Sequence, residues 1–308
     1  MAEPVIGIFG LGLIGSALAG RLLAAGYAPR GCDPDPARAA DLDRAGGTAC
    51  SAPEIWQADV VFSCVFDTDQ LETLIDAAPM ANCTLVSVST CDPDRMQGLA
   101  GRAAAKGITL IEMPVSGTSR ALANGSALLL LAGSLDAVAR IEPILNAICT
   151  RRLHLGAIGN GNRAKLAINL VLGLNRAAMA EGMVFARAMG LDAQDFLDMV
   201  QVSAARSDVM AAKGALMVAR DFAPQGRIAQ SLKDFTLVAD SAAARGQGLP
   251  FAGRYLEMMH DAVAQGEGDL DNAAILLPIE RARPHTSHPH TGQPHTGAPR
   301  APQTPEET

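Results

Sequence analysis

Aromatic side chains are scarce: eight Phe, two Tyr and one Trp in 308 residues. Few rings are available to stack on bases. With 25 basic against 32 acidic side chains and a net charge of −7, the electrostatic footprint of a nucleic-acid-binding protein is missing as well. None of the six cysteines, Cys32, Cys50, Cys64, Cys83, Cys91 and Cys149, belongs to a C-x-x-C pair. That argues against a structural zinc or a dithiol exchange motif and leaves buried free thiols as the expectation, with no metal. Long apolar runs are also absent. The longest, Ala127 to Ala132, falls far short of the ~20 residues a membrane-spanning helix needs. No basic stretch precedes the first apolar run, Val5 to Phe9, so no secretory signal is read. A soluble cytoplasmic protein that meets neither nucleic acid nor membrane is expected.

What is present is apolar material, 49% of the residues against 19% charged, enough to offset backbone entropy over most of the chain. The length exceeds what one core usually organises, so two domains are expected. From residue 5 to about 155, short β-rich runs alternate with helical patterns, the sequence form of a parallel sheet with crossover helices. The strand candidates are Val5–Phe9, Ala28–Cys32, Val60–Val65, Thr84–Val88, Thr109–Glu112 and Leu128–Leu131. Asp92 as N-cap and Pro93 as first helical residue predict a helix to about Ala105. Beyond residue 160 strand runs disappear and helical periodicity continues to about 282. Its first helix is predicted from Ala164 to Met189, stopped by Gly190, and roughly 39 Å long at the α-helical rise. The fold class is therefore α/β: a Rossmann-like dinucleotide-binding domain over 1–163, followed by an all-helical domain over 164–283. From 284 to 308 the chain holds six prolines, four of the six histidines and no Val, Ile, Leu, Met or aromatic residue. Such a segment builds no core and is expected to be a disordered tail.

Val5–Phe9 runs directly into Gly10-Leu11-Gly12-Leu13-Ile14-Gly15 and then into a helical pattern, so strand, G-x-G-x-x-G and helix appear in the order a phosphate cradle requires. Gly10 permits the tight turn, Gly12 lets the backbone approach a pyrophosphate, and Gly15 lets helix and strand pack closely. Amide donors and the helix dipole then face the anion. Asp33 closes the second strand 18 residues after Gly15, where a carboxylate accepts from the adenosine ribose. Asp33 and Asp35 would repel a 2′-phosphate and no Arg directly follows Asp33, so NAD is preferred over NADP, with Arg38 as a complication.

The ordered part of the chain carries only His154 and His260, neither in a recognisable relay with an acid. A second candidate base stands at the domain junction, in Gly159-Asn-Gly-Asn-Arg-Ala-Lys165-Leu-Ala-Ile-Asn169. On a helix Lys165 and Asn169 share a face, but spacing alone favours an exposed, solvated lysine.

Five motifs in order, GLGLIG at 10–15, Ser89-Thr90 followed by Pro93, Pro114-Val-Ser116-Gly117, the 161–169 stretch, and Lys233-Asp234-Phe235, make the chain resemble the β-hydroxyacid dehydrogenase family over about residues 4 to 282. That group includes 3-hydroxyisobutyrate dehydrogenases and tartronate semialdehyde reductases. The resemblance implies that Ser116 and Gly117 hold a substrate carboxylate, that Lys165 is the general acid/base, and that Asn169 orients the substrate. It also implies that Thr90 lies near the nicotinamide, and that Lys233 and Asp234 reach cofactor and active site from the helical domain. Dimers or tetramers are implied too. Thr118 stands where the family frequently has Gly, and Ile168 where it commonly has Asn, so Thr118 joins the expected substrate pocket. The reaction implied is NAD(P)-dependent interconversion of a small β-hydroxy acid with its aldehyde or keto acid. Two other readings are an imine reductase, whose members generally lack Lys at the position of Lys165, and a non-catalytic NAD-binding redox sensor.

Overall fold

A computed structural model describes residues 3–282; the Pro- and His-rich segment from Pro284 lies outside the described residues. Six strands, β1 (Ile6–Phe9), β2 (Arg30–Cys32), β3 (Thr48–Ala49), β4 (Val60–Ser63), β5 (Thr84–Ser87) and β6 (Thr109–Glu112), form one sheet in the order β3-β2-β1-β4-β5-β6. Every pairing in it is parallel. Strands β1, β4 and β5 are buried at every residue, as a sheet covered on both faces requires. Successive residues feed opposite cores. Ile6, Ile8, Phe62, Val86 and Ile111 enter one apolar cluster, while Phe9, Val61, Leu85 and Leu110 enter the other.

Leu128–Leu131 does not join this sheet as expected. It is β8 of a separate three-stranded sheet, antiparallel to β7 (Val115–Ser116) and parallel to β9 (Arg152–His154). The cause lies at the end of β6, where Glu112 pairs antiparallel with Ala132. Pro114 has no N–H to extend the parallel ladder, and its carbonyl accepts from Leu130 N at 3.0 Å instead. The helix expected from Pro93 begins at Met96. Asp92 accepts from Asp94 N, two residues on, at 2.9 Å, an Asx turn that delays the helix.

The long helix spans Asn160–Ala188, four residues earlier than the predicted start at Ala164, because Gly159 takes the left-handed conformation (φ +97°) and turns the chain into it. Around it pack Ala193–Val202, Asp208–Ala219, Ile228–Ala243, Pro250–Ala264 and Leu276–Arg281. Met179, Met183, Leu197, Phe235, Tyr255 and Met259 make the helical core. Gly173 is required there: a Cβ on it would lie 2.4 Å from the Phe235 ring. Among the described residues no helix is long and apolar enough to cross a membrane. Of the cysteines expected to be buried, Cys83, Cys91 and Cys149 are, whereas Cys32, Cys50 and Cys64 are only partly covered.

Candidate active site

The cradle follows from two close approaches. Gly10 has φ +85° and a Cβ on it would lie 2.6 Å from the Cys64 carbonyl oxygen; a Cβ on Gly15 would lie 1.9 Å from the Gly10 carbonyl oxygen. Only glycine fits either place. At Gly12 the nearest atom to such a Cβ is Arg38 Nη1, 3.7 Å away, so this side of the turn lies open. The helix that follows, Leu13–Ala24, has no side-chain cap. Its first intrahelical bond is Ser16 N to Gly12 O, which leaves the amides of Leu13, Ile14 and Gly15 for an anion. The Leu11 amide is already engaged: it donates to Asp33 Oδ2 at 2.7 Å, while Asp35 N donates to Asp33 Oδ1 at 2.8 Å. Asp33 therefore fixes the turn. Arg38 lies against both acids, 3.5 Å from Asp33 Oδ2 and 3.3 Å from Asp35 Oδ2.

At the seam between the two domains, Lys165 is buried, 8% exposed. The solvated lysine favoured by spacing alone is thus corrected: Ile228–Ala243, which carries Lys233 and Asp234, packs on the long helix and covers it. Burial pulls its pKa down to about 8; the Asp234 carboxylate opposes that shift and the Lys233 ammonium adds to it. Asn169 Nδ2 donates to Asp234 Oδ2 at 2.8 Å. Lys233 Nζ lies 2.9 Å from Asp234 Oδ1 and donates to the Thr90 carbonyl at 2.6 Å, reaching across from Ile228–Ala243 to the loop after β5. Among the described residues Lys165 Nζ has no hydrogen-bond partner, so the amine is available.

A family model described as the NAD binding domain of 6-phosphogluconate dehydrogenase matches residues 5–156. A second, described as NAD-binding of NADP-dependent 3-hydroxyisobutyrate dehydrogenase, matches 159–279. The chain is 29% identical over 280 residues to L-threonate dehydrogenase of Cupriavidus necator, covering 88% of this chain and 94% of that one. A 3-hydroxyisobutyrate dehydrogenase structure from Salmonella typhimurium superposes with a TM-score of 0.81 at 28% identity, over 89% of this chain and 99% of the other. The chain belongs to the β-hydroxyacid dehydrogenase family. An imine reductase from Pseudomonas sp. shares the fold at a TM-score of 0.61 and 23% identity, over 90% of this chain and all of that one. As a β-hydroxyacid dehydrogenase family member the chain is an NAD(P)-dependent oxidoreductase whose cofactor is a nicotinamide dinucleotide.

The segment that resembles the family's carboxylate-holding loop sits on β7. Ser116 pairs with Leu128, and Gly117 is exposed with φ +144°. Thr118 caps the helix Ser119–Ala123, its hydroxyl accepting from Ala121 N at 3.1 Å. The long helix lies against both β7 and β8, but among the described residues no hydrogen bond joins Ser116, Gly117 or Thr118 to Lys165 or Asn169. His154 and His260 are both exposed.

Two residues that anchor the helix bearing Lys165 do not stand out in the sequence. Glu112, fully buried at the end of β6, accepts from Gly159 N at 2.5 Å, Gly161 N at 3.3 Å, Asn162 N at 3.2 Å and Asn162 Nδ2. Asn162 Oδ1 in turn accepts from Cys91 N at 2.7 Å. This network pins the first turn of the helix that bears Lys165 to β6 and to the Thr90 loop. Burial raises the Glu112 pKa while the amide donors pull against it. The available signal was an acid ending a strand and a Gly-Asn-Gly-Asn run opening a helix.

Proposed function

We propose that this enzyme interconverts a small β-hydroxy acid with its aldehyde or keto acid, using Lys165 as general acid/base. Residues 1–163 would hold the dinucleotide and 164–283 would close the substrate site. The observation that carries the reading is a buried amine with a pKa near 8, beside the Asn169–Asp234 pair and tied to the Thr90 loop through Lys233. An amine tuned toward neutrality gives and takes protons efficiently at physiological pH.

Gly10, Gly12 and Gly15, the amides of Leu13 and Ile14, and the Leu11–Asp33 bond fit a dinucleotide, since Gly10 and Gly15 allow the tight turn, Gly12 leaves its outer side open to a pyrophosphate, and the helix amides stay unpaired. Thr90 and Lys233 would line its nicotinamide end. Bound there, the nicotinamide supplies a hydride acceptor or donor. Lys165 takes the hydroxyl proton in oxidation and returns it to the carbonyl oxygen in reduction. Asn169, held by Asp234, orients the reacting oxygen, and Ser116, Gly117 and Thr118 receive the carboxylate. NAD is the proposed cofactor, because Arg38 offsets only one of the two charges of Asp33 and Asp35. A cytoplasmic location and self-association belong to the same proposal. Exposed Val171, Phe185 and Met189 along the long helix support the latter.

The test is a panel of three- to five-carbon hydroxy acids and their aldehydes, assayed with each cofactor. Lys165→Ala should lose turnover by about 10²-fold or more while calorimetry shows NAD binding retained. Near-normal turnover would remove Lys165 from the mechanism, and a higher kcat/KM with NADP would reject the cofactor preference. NAD binding without turnover of any substrate would favour the redox sensor.

A further inference from the structure

We propose that Cys32 and Cys50 form a reversible disulfide whose formation loosens the adenosine end of the dinucleotide site. The strand register puts them side by side. Arg30 pairs with Thr48 and Gly31 with Ala49 in the parallel β2–β3 ladder, and Cys50 N donates to Gly31 O at 2.9 Å. That bond continues the same register by one residue and sets Cys32 opposite Cys50. Register partners in a sheet point to the same face, and both side chains pack, partly covered, against the same apolar cluster. Adjacent strands lie ~4.8 Å apart, inside the ~4.4–6.8 Å window of Cα separations that a disulfide bridges. Closing the bond asks for a small backbone adjustment. Both strands end here, and β3 is a two-residue strand at the sheet edge, so the adjustment is available. Both residues are only partly covered, which leaves the bond open to reduction, the property of a switch rather than a staple.

Both are free thiols in the structure. Burial and the Asp33 carboxylate push the Cys32 thiol up; burial, Glu54 and Cys32 itself push the Cys50 thiol up, against Arg30. Both thiols are therefore less acidic than an ordinary cysteine, and the reaction speeds up as pH rises. With glutathione disulfide as oxidant, one protein thiolate attacks a glutathione sulfur, forming a mixed disulfide and releasing one glutathione thiolate. The second protein thiolate then displaces the remaining glutathione from the first protein sulfur. Two protein S–H bonds are lost, one protein S–S bond forms, and both protons and both electrons leave with two molecules of glutathione.

The functional consequence rests on the cofactor reading above. Asp33 follows Cys32 directly and holds the cradle through Leu11 N. Drawing Cys32 toward Cys50 pulls that carboxylate off the turn. NAD should in turn protect the two thiols, because coupling between sites is reciprocal.

The full-length protein is incubated with glutathione disulfide, its remaining thiols are alkylated, and its peptides are mapped by mass spectrometry. The expected result is a joined pair of peptides containing Cys32 and Cys50, absent from Cys50→Ser and removed by dithiothreitol. Calorimetry should show NAD binding weakened roughly fivefold or more in the oxidised protein, with Cys50→Ser unaffected by the oxidant. Both cysteines recovered alkylated, a lasting glutathione adduct on either one, or a joined pair with unchanged NAD affinity would each overturn the proposal. If the reduced protein fails to bind NAD, the cofactor reading fails and the loosening with it, while the joined peptide still reports the bond.

Discussion

At neutral pH most Lys165 side chains carry a proton in a place that disfavours the charge, since the folded pKa is about 8 against 10.5 for the model side chain. The unfolded chain holds its proton between those values while the folded chain releases it, so this residue makes stability rise with pH across that window, and its full cost is felt below about 8. Lys165→Met, which keeps the stem and removes the charge, should raise unfolding free energy at pH 7 by on the order of 2 kcal/mol while abolishing turnover. Denaturant titration checks this, and an unchanged or lower midpoint counts against it. The same value sets the pH profile. Oxidation should rise as pH passes through about 8 and reduction should fall. Asp234 holds the Lys165 pKa up, so Asp234→Asn should move both limbs to lower pH; a profile that stays in place would show that Asp234 does not act through the amine. Spacing alone gave no hint of the burial of Lys165. An (i, i+4) pair looks the same on an exposed helix as on one covered by Ile228–Ala243, and only the ordered motifs pointed to its role.

At the scale of elements, Glu112 is the tie between sheet and long helix. Glu112→Ala leaves the amides of Gly159, Gly161 and Asn162 without their acceptor in a buried place. A loss of about 3 kcal/mol of stability is expected, from the cost of orphaned buried donors, readable in chemical denaturation. Gly173→Ala should cost about 1–3 kcal/mol by overpacking against Phe235 and Tyr255; a neutral result would mean the helices separate freely. The strands of the parallel sheet were legible because runs such as Thr84–Val88 are rich in β-branched and apolar residues and bounded by turns. The sheet that would receive Leu128–Leu131 was not legible, since a fully apolar run suits any buried neighbour and the decision lies with Pro114 and the Glu112–Ala132 bridge. Strands as short as Thr48–Ala49 and Val115–Ser116 carry no periodicity to read.

For the whole molecule, the change from alternating strands to helical periodicity near residue 160 announced the two-part architecture, and G-x-G-x-x-G with Asp33 announced the cradle. How the parts meet was hidden, because contacts such as Lys233 to Thr90 join residues 143 positions apart. Val171 and Phe185 on the long helix and Met189 at its C-cap stay exposed at spacings that keep them on one side. Light scattering should therefore give a mass above the 31.9 kDa of one chain, and Phe185→Asp should lower it; a wild-type mass of one chain would reject self-association. The long helix itself has a mechanical consequence. One end is clamped to the sheet by Glu112 and its middle is embedded in the helical core at Gly173, so it works as a crossbeam rather than a hinge. The two lobes cannot swing apart around it without breaking one of those joints. Lys165, three residues past the clamped Asn162, is thereby held at a set station relative to the sheet that carries the cradle.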